Sequence, residues 1–176
     1  MVFAVTLLVA NCVWKITFVG DEGMGSVLWL GMNVTKPFDV MARHISSVVY
    51  GIVSLVRHTV YMPRENAIHF LNGNGTTIVW SCTGFKQAWI WICLLLTARG
   101  PWIKKLWYIP LGLVCAHLFN IVRIALITLS IEHHPEWFSL LHNYVFKYAF
   151  YAVLFGMWVV WIQRLTPPLI IDTENR

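Results

Sequence analysis

Apolar residues in this chain occur in long runs that short polar segments interrupt. An apolar run of about 17 to 25 residues is long enough to cross the hydrocarbon core of a membrane as a helix. The sequence therefore predicts an all-α polytopic membrane protein with about five transmembrane helices. The five runs are residues 1–19, 38–62, 85–98, 107–131 and 138–162.

Two of these runs, and one further apolar segment, depart from the simple pattern. Residues 38–62 contain Arg43 and Arg57, and residues 85–98 reach spanning length only when the polar residues just before them are included. The segment 24–34 is apolar but short and glycine-containing, which favours an interfacial or re-entrant segment over a spanning helix.

A turn signal lies between the second and third runs. Residues 66–71 and 76–80 have a strand-like pattern, and between them stands Asn-Gly-Asn-Gly at residues 72–75. Asparagine and glycine accept the positive φ angles that tight hairpin turns require. We therefore expect a small outer β-hairpin that leads directly to Cys82.

Composition supports a membrane protein and argues against a nucleic-acid partner. Hydrophobic residues make up 58% of the chain and charged residues only 12%. The net charge is +5, but the basic residues are scattered at the ends of apolar runs rather than clustered in a patch. With no internal repeat and no linker, residues 1–176 are expected to form one integral membrane domain.

The basic residues predict the orientation of the chain in the membrane. Arg99, Lys104 and Lys105 lie in the short loop between the third and fourth runs, and the positive-inside rule places that loop in the cytoplasm. Cys82 and the polar segment 132–136 then lie outside. This indicates a multi-pass protein of the plasma (inner) membrane with its candidate site on the extracytoplasmic face.

The N-terminal half gives a separate prediction of orientation. Lys15, Lys36 and Arg43 would flank the cytoplasmic ends of their helices under the same rule. This predicts that Met1 lies outside and that Lys15 lies on the face opposite Cys82.

Three chemically reactive residues are predicted at a similar depth near the outer surface. At 1.5 Å of rise per residue, Arg123 lies roughly 12 Å below the outer end of its helix and His142 about 6 Å below the start of the next. Charged groups at such depth normally face a protein interior or a wet cavity. Asn120 is on the same helix face as Arg123, three residues away. One cavity is therefore expected to contain Cys82, Arg123 and His142.

These residue types suit acyl transfer by a thiol. A helix N-terminus and a nearby guanidinium both favour the thiolate, so Cys82 is the candidate nucleophile. Arg123 is placed to stabilise that thiolate and the oxyanion that forms on the attacked carbonyl, with Ser81 and Thr83 assisting. His142 is the candidate general acid and base, because imidazole titrates near neutral pH.

Three short motifs then resemble the signature blocks of the exosortase/archaeosortase family. They are Ser-Cys-Thr-Gly at residues 81–84, Asn-Ile-Val-Arg at residues 120–123 and His-Asn-Tyr-Val-Phe-Lys at residues 142–147, in the order of the family. The usual first block reads Ala-Cys-Ser-Gly, so Ser81 and Thr83 are departures that keep small or hydroxyl neighbours. The chain is similar to the compact single-domain members.

The resemblance implies a membrane-embedded cysteine transpeptidase or protease. Its partners would be membrane lipids and secreted proteins that end in a short motif, a transmembrane helix and a basic cluster. It would cleave that sorting signal and transfer the protein to a surface acceptor through a thioacyl-enzyme, without a cofactor.

Other interpretations of the same residues remain open. Cys12, Cys93 and Cys115 lie inside apolar runs and are interpreted as packing residues, and no Cys-x-x-Cys pair indicates a thiol-disulfide enzyme. His133 and His134 lack the spacing of a metal site, so no metal is predicted. The alternative function is a non-catalytic polytopic membrane protein for assembly or lipid binding, in which the polar residues only join helices.

Overall fold

The computed structural model describes residues 2–21 and 26–166, and the chain is mostly helical. Each of the five apolar runs contains a helix. Four of these helices are α1 (Val2–Thr17), α2 (Thr35–Val56), α3 (Phe85–Thr97) and α4 (Trp102–Ile131). The fifth, Trp137–Leu165, is called the last helix here and consists of α5 (Trp137–Leu140), a π-helical turn (Leu141–Val145), α6 (Phe146–Val160) and a second π-helical turn (Trp161–Leu165).

Three of these helices are long and apolar enough to cross a membrane, namely α2, α4 and the last helix. α1 and α3 have 16 and 13 residues. At 1.5 Å per residue they fall short of a hydrocarbon core of about 30 Å. The chain is thus a membrane protein with three candidate spans, and a total of five spans stays a prediction.

Two small antiparallel sheets accompany the helices, so the fold is not wholly α-helical. The first contains β1 (Phe18–Asp21), β2 (Ser26–Trp29) and β3 (Met32–Asn33) in that order. The second contains β4 (Val60–Arg64), β5 (Ala67–Phe70) and β6 (Gly75–Thr77) in that order.

The hairpin expected before Cys82 is present in the second sheet. β5 pairs with β6 in a register that sets Ala67 opposite Thr77. The turn between them has Gly73 at a φ of 89°, and the backbone N–H of Asn74 donates to Oδ1 of Asn72 at 3.0 Å. The sequence did not predict the third strand, β4, which pairs with β5.

The described part of the segment 24–34 forms β2 and β3, and its interfacial or re-entrant placement stays a prediction. One predicted boundary in the N-terminal half is wrong. The run 38–62 does not remain helical to its end, because the backbone turns extended at Arg57 and enters β4. The Arg57 side chain lies 2.9 Å from the carboxylate of Glu132 at the end of α4, a contact that no local pattern encodes.

The predicted placement of Lys15 relative to Cys82 is also wrong. α1 and α3 pack antiparallel, since Thr6 contacts Thr97 at 3.2 Å and the indole N–H of Trp89 donates to the carbonyl of Ala10. The end of α1 that carries Lys15 therefore lies beside the start of α3, next to Cys82. The Val2 end of α1 lies near the loop between α3 and α4.

α4 joins the two main parts of the hydrophobic core. On one side, buried residues of α3, α4 and the last helix pack together around Trp91, whose ring lies directly against Gly112. On the other side, Ile124 and its neighbours on α4 pack against α2 and the second sheet. Side chains on this helix are consequently fixed against every element that surrounds the candidate site.

Candidate active site

Cys82 ends a short 3₁₀ turn, Trp80–Cys82, that connects the hairpin to α3. Its backbone N–H donates to the carbonyl of Val79 at 2.9 Å, and its side chain is half-buried. α3 begins only at Phe85, after Gly84 with a φ of 83°. The cysteine thus lies just ahead of the helix N-terminus. The sequence had predicted that it opens the helix itself.

Asn120 holds the cysteine loop against α4. Its side-chain amide donates to the carbonyl of Cys82 at 2.8 Å, and the residue is only 2% exposed. A Cβ at Gly84 would lie 3.4 Å from that same amide nitrogen. The absence of a side chain at Gly84 therefore serves both the left-handed backbone and the close approach of α4.

Arg123 follows Asn120 by almost one helical turn on the same face of α4. The residue is 6% exposed, and its Nε is buried without a hydrogen-bond partner in the described part of the chain. The guanidinium is close enough to Cys82 to interact electrostatically with a thiolate there. A cation that is buried this deeply is available for negative charge that forms at the cysteine.

A cavity of about 220 Å³ brings Arg123 and His142 together beside the cysteine turn. Ser81 lines it with them, whereas Cys82, the next residue of the same turn, is not among its described lining residues. The rest of the lining is contributed by α3 and the last helix: Lys86, Gln87, Ile90, Asn143, Lys147, Phe150 and Tyr151.

His142 reaches this cavity from the first π-helical turn of the last helix. Its ring stacks on Phe138, with the ring centroids 5.2 Å apart. π-helical turns shift the direction of side chains by inserting an extra residue into the helix, and they recur at functional sites. The sequence had no signal for this turn.

The two hydroxyl neighbours of Cys82 differ in what they contact. Thr83 is 3% exposed, and its hydroxyl donates to the carbonyl of Trp80 at 2.7 Å. Its proton is therefore directed to the 3₁₀ turn and not to the cavity. Ser81 is exposed and lines the cavity.

Two polar residues in the first turn of α3 also line this cavity. Lys86 lies one turn before Ile90, a spacing that puts both on one face of α3. Gln87 has a buried side-chain oxygen without a hydrogen-bond partner among the described residues. The sequence analysis did not single out Gln87, although a polar residue in the first turn of an otherwise apolar helix could have identified it.

The remaining cysteines and histidines lie elsewhere. Cys12 is exposed on α1, and Cys93 and Cys115 are half-buried, and all are free thiols. His133 and His134 contact Glu132 and Glu136 in the loop after α4. In the described ranges, no cluster of three or more histidine, cysteine or acidic residues could hold a metal ion.

Comparison with known proteins identifies the family. No curated protein matches the chain, and no solved structure does. The family model described as transmembrane exosortase (Exosortase_EpsH) matches residues 24–160, which includes the hairpin, Cys82, Arg123 and His142. Because this match spans well over half of the 176 residues, the chain belongs to the transmembrane exosortase family.

Proposed function

We propose that this protein is a membrane-embedded cysteine transpeptidase of the plasma membrane that acts on its extracytoplasmic face. Its substrates are secreted proteins that end in a sorting motif, a transmembrane helix and a basic cluster. The observation that carries the proposal is the shared cavity: Arg123 and His142 line one space beside the Cys82 turn. Family membership and the apolar helices support the same function.

The first half of the reaction forms a thioacyl-enzyme. The Cys82 thiolate attacks the carbonyl carbon of the scissile peptide bond, and the carbonyl oxygen takes the negative charge. Arg123 stabilises that oxyanion, because a fixed, desolvated cation interacts more strongly with the charged intermediate than with the neutral amide. As the C–N bond breaks, His142 donates a proton to the leaving amine.

The second half returns the enzyme to its starting state. His142, now neutral, takes a proton from the acceptor nucleophile, which attacks the thioester carbonyl. The C–S bond breaks, the acceptor carries the acyl group, and Cys82 leaves as a thiolate. The charges and protons balance without a cofactor or a metal ion.

Other residues position this machinery. Asn120 fixes the Cys82 carbonyl and Thr83 closes the 3₁₀ turn, so both keep the thiol at a constant place above α4. Ser81 faces the same space as Arg123, where its hydroxyl supports the oxyanion.

The direct test is coexpression with a candidate substrate that carries such a sorting signal. Cys82→Ala should abolish processing while the protein still inserts into the membrane, since a small side chain replaces another in a connecting turn. Cys115→Ala, a half-buried cysteine on α4, is the matched control and should process normally. Normal processing by Cys82→Ala would reject the nucleophile and favour a non-catalytic membrane protein.

A further inference from the structure

A second cavity adjoins the candidate active site. It has a volume of about 230 Å³ and lies where the end of α1 and the start of β1 meet the cysteine turn. Ser81 and Lys86 line both cavities, so the two spaces share a wall. The remaining lining residues are Trp14, Lys15, Phe18 and Trp80.

The polar groups of this second cavity are mainly hydrogen-bond donors. Lys15 and Lys86 contribute ammonium groups, and Ser81 contributes a hydroxyl. Neither cavity has an aspartate or glutamate among its described lining residues.

The charges around Lys86 also favour an anion at this site. Lys86 lies close enough to Lys15 and to Lys147 to be repelled by both. Positive charges that lie close together without a counter-ion repel one another. An anion bound between them is attracted to each and offsets that repulsion. We propose that this second cavity is a binding site for the phosphate group of a glycerophospholipid.

The surroundings of the cavity favour a lipid as the source of the phosphate. The outward side of α1 next to the cavity is apolar, with Ile16 72% exposed and Val19 just beyond the helix 63% exposed. Lysine together with tryptophan at the end of a membrane helix is typical of the headgroup region. A lipid can therefore lay its acyl chains along α1 while its phosphate enters between Lys15 and Lys86.

This site does not depend on the reactivity of the thiol, because its proposed contacts with the phosphate come from Lys15 and Lys86. The binding experiment can therefore use the full chain with Cys82→Ala, so that a failure of the catalytic proposal leaves the result interpretable. The purified protein in a non-ionic detergent is titrated with a short-chain phosphatidylglycerol, and lipid bound per protein is measured by native mass spectrometry. The matching diacylglycerol, which lacks the phosphate, and inorganic phosphate are titrated separately.

Substitutions distinguish binding in this cavity from attraction to the general surface charge. Lys15→Gln and Lys86→Gln should each weaken phosphatidylglycerol binding by about tenfold, as expected for the loss of one charge-assisted hydrogen bond. Lys36→Gln removes the same charge from an exposed residue in the first turn of α2, outside both cavities, and should bind like the parent protein.

Each contrary result overturns the proposal. Equal binding of diacylglycerol would show that only the acyl chains are recognised, and binding of inorganic phosphate as tight as that of the lipid would show a free-anion site. An equal loss of phosphatidylglycerol binding in Lys36→Gln would show that the lipid responds to nonspecific surface charge. If Lys15→Gln and Lys86→Gln bind lipid normally but raise the KM for a processed substrate, the lysines instead hold a carboxylate of the peptide.

Discussion

At the scale of single residues, the guanidinium of Arg123 is the group on which the proposed chemistry depends most. It is buried, its Nε lacks a partner among the described residues, and it is electrostatically close to Cys82. A lysine at the same place would keep the positive charge but would lose the planar set of five donors.

We expect Arg123→Lys to lose most activity, roughly 10²-fold or more, as for the removal of one oxyanion donor. The measurement is the rate of substrate processing in membranes that contain equal amounts of protein. The rate of Cys82 alkylation at neutral pH should fall in both variants. The fall should be smaller in Arg123→Lys than in Arg123→Ala, because lysine retains the charge near the thiolate. Near-native turnover of Arg123→Ala would exclude an oxyanion role.

Gly84 offers a second test at this scale, because its backbone has a φ of 83° and its Cα lies close to Asn120. Gly84→Ala should destabilise the protein by about 1–2 kcal/mol, the cost of a side chain in the left-handed region. It should also slow processing, because relief of the backbone strain at residue 84 would shift the neighbouring Cys82 turn against Asn120. Thermal unfolding in detergent and processing rates measure the two effects.

Gly51→Ala is the control for this substitution. Gly51 lies within α2, and a Cβ there would meet nothing within 4 Å. Alanine should be neutral or slightly stabilising at this helical position. If Gly84→Ala matches Gly51→Ala in both assays, the close approach of Asn120 to the cysteine loop is not required.

At the scale of the elements, Glu132 joins three of them at the end of α4. Its carboxylate lies 2.9 Å from Nε of Arg57, which follows α2, in an ion pair. Its backbone carbonyl accepts hydrogen bonds from the side chains of Asn72 and Asn74 in the hairpin turn, at 2.6 and 2.9 Å. The hairpin that leads to Cys82 is thus tied to α4 at both ends, here and at Asn120.

Glu132→Ala should therefore lower the free energy of unfolding by about 1–3 kcal/mol, because it removes a largely buried carboxylate and leaves Arg57 unpaired. The control is Glu65→Ala, which breaks an ion pair with Arg43 between side chains that are 76% and 51% exposed. That exposed pair should contribute less than about 1 kcal/mol. Equal effects in a denaturation experiment would contradict the proposed role of Glu132.

The elements also show how far the sequence could predict this fold. Every apolar run contains a helix, because hydropathy is a local property, and the Asn-Gly turn at residues 72–75 predicted a hairpin for the same reason. The pairing of β1 with β2 is local but was missed, since the sequence between them has no Asn-Gly turn signal. The end of α2 at Arg57 was missed because it involves Glu132, which is distant in the chain. Cys82, Arg123 and His142 were placed near one another by helix depth alone, whereas the π-helical turn around His142 and the cavity role of Gln87 depend on packing.

At the scale of the whole molecule, orientation in the membrane follows from combining one sequence rule with the packing of α1. Arg99 and its basic neighbours predict that the loop between α3 and α4 is cytoplasmic. Charge alone also suggested that Met1 lies outside, but α1 packs antiparallel to α3 and brings its start next to that loop. Local charge counting placed Lys15 away from Cys82, whereas Lys15 lines a cavity beside the cysteine turn.

Single introduced cysteines test this orientation in a variant whose four native cysteines are replaced by serine. Leu71→Cys in the hairpin turn and Pro135→Cys after α4 should react with a membrane-impermeant maleimide in intact cells. Pro101→Cys, before α4, and Val2→Cys, at the start of α1, should react only after the membrane is permeabilised. If Val2→Cys is labelled in intact cells while Pro101→Cys is protected, the start of α1 and the α3–α4 loop lie on opposite sides of the membrane. That result would contradict the packing of α1 described above. Reversal of all four results would place the Cys82 cavity on the cytoplasmic face, where no secreted protein could be processed, and would reject surface transfer as the function.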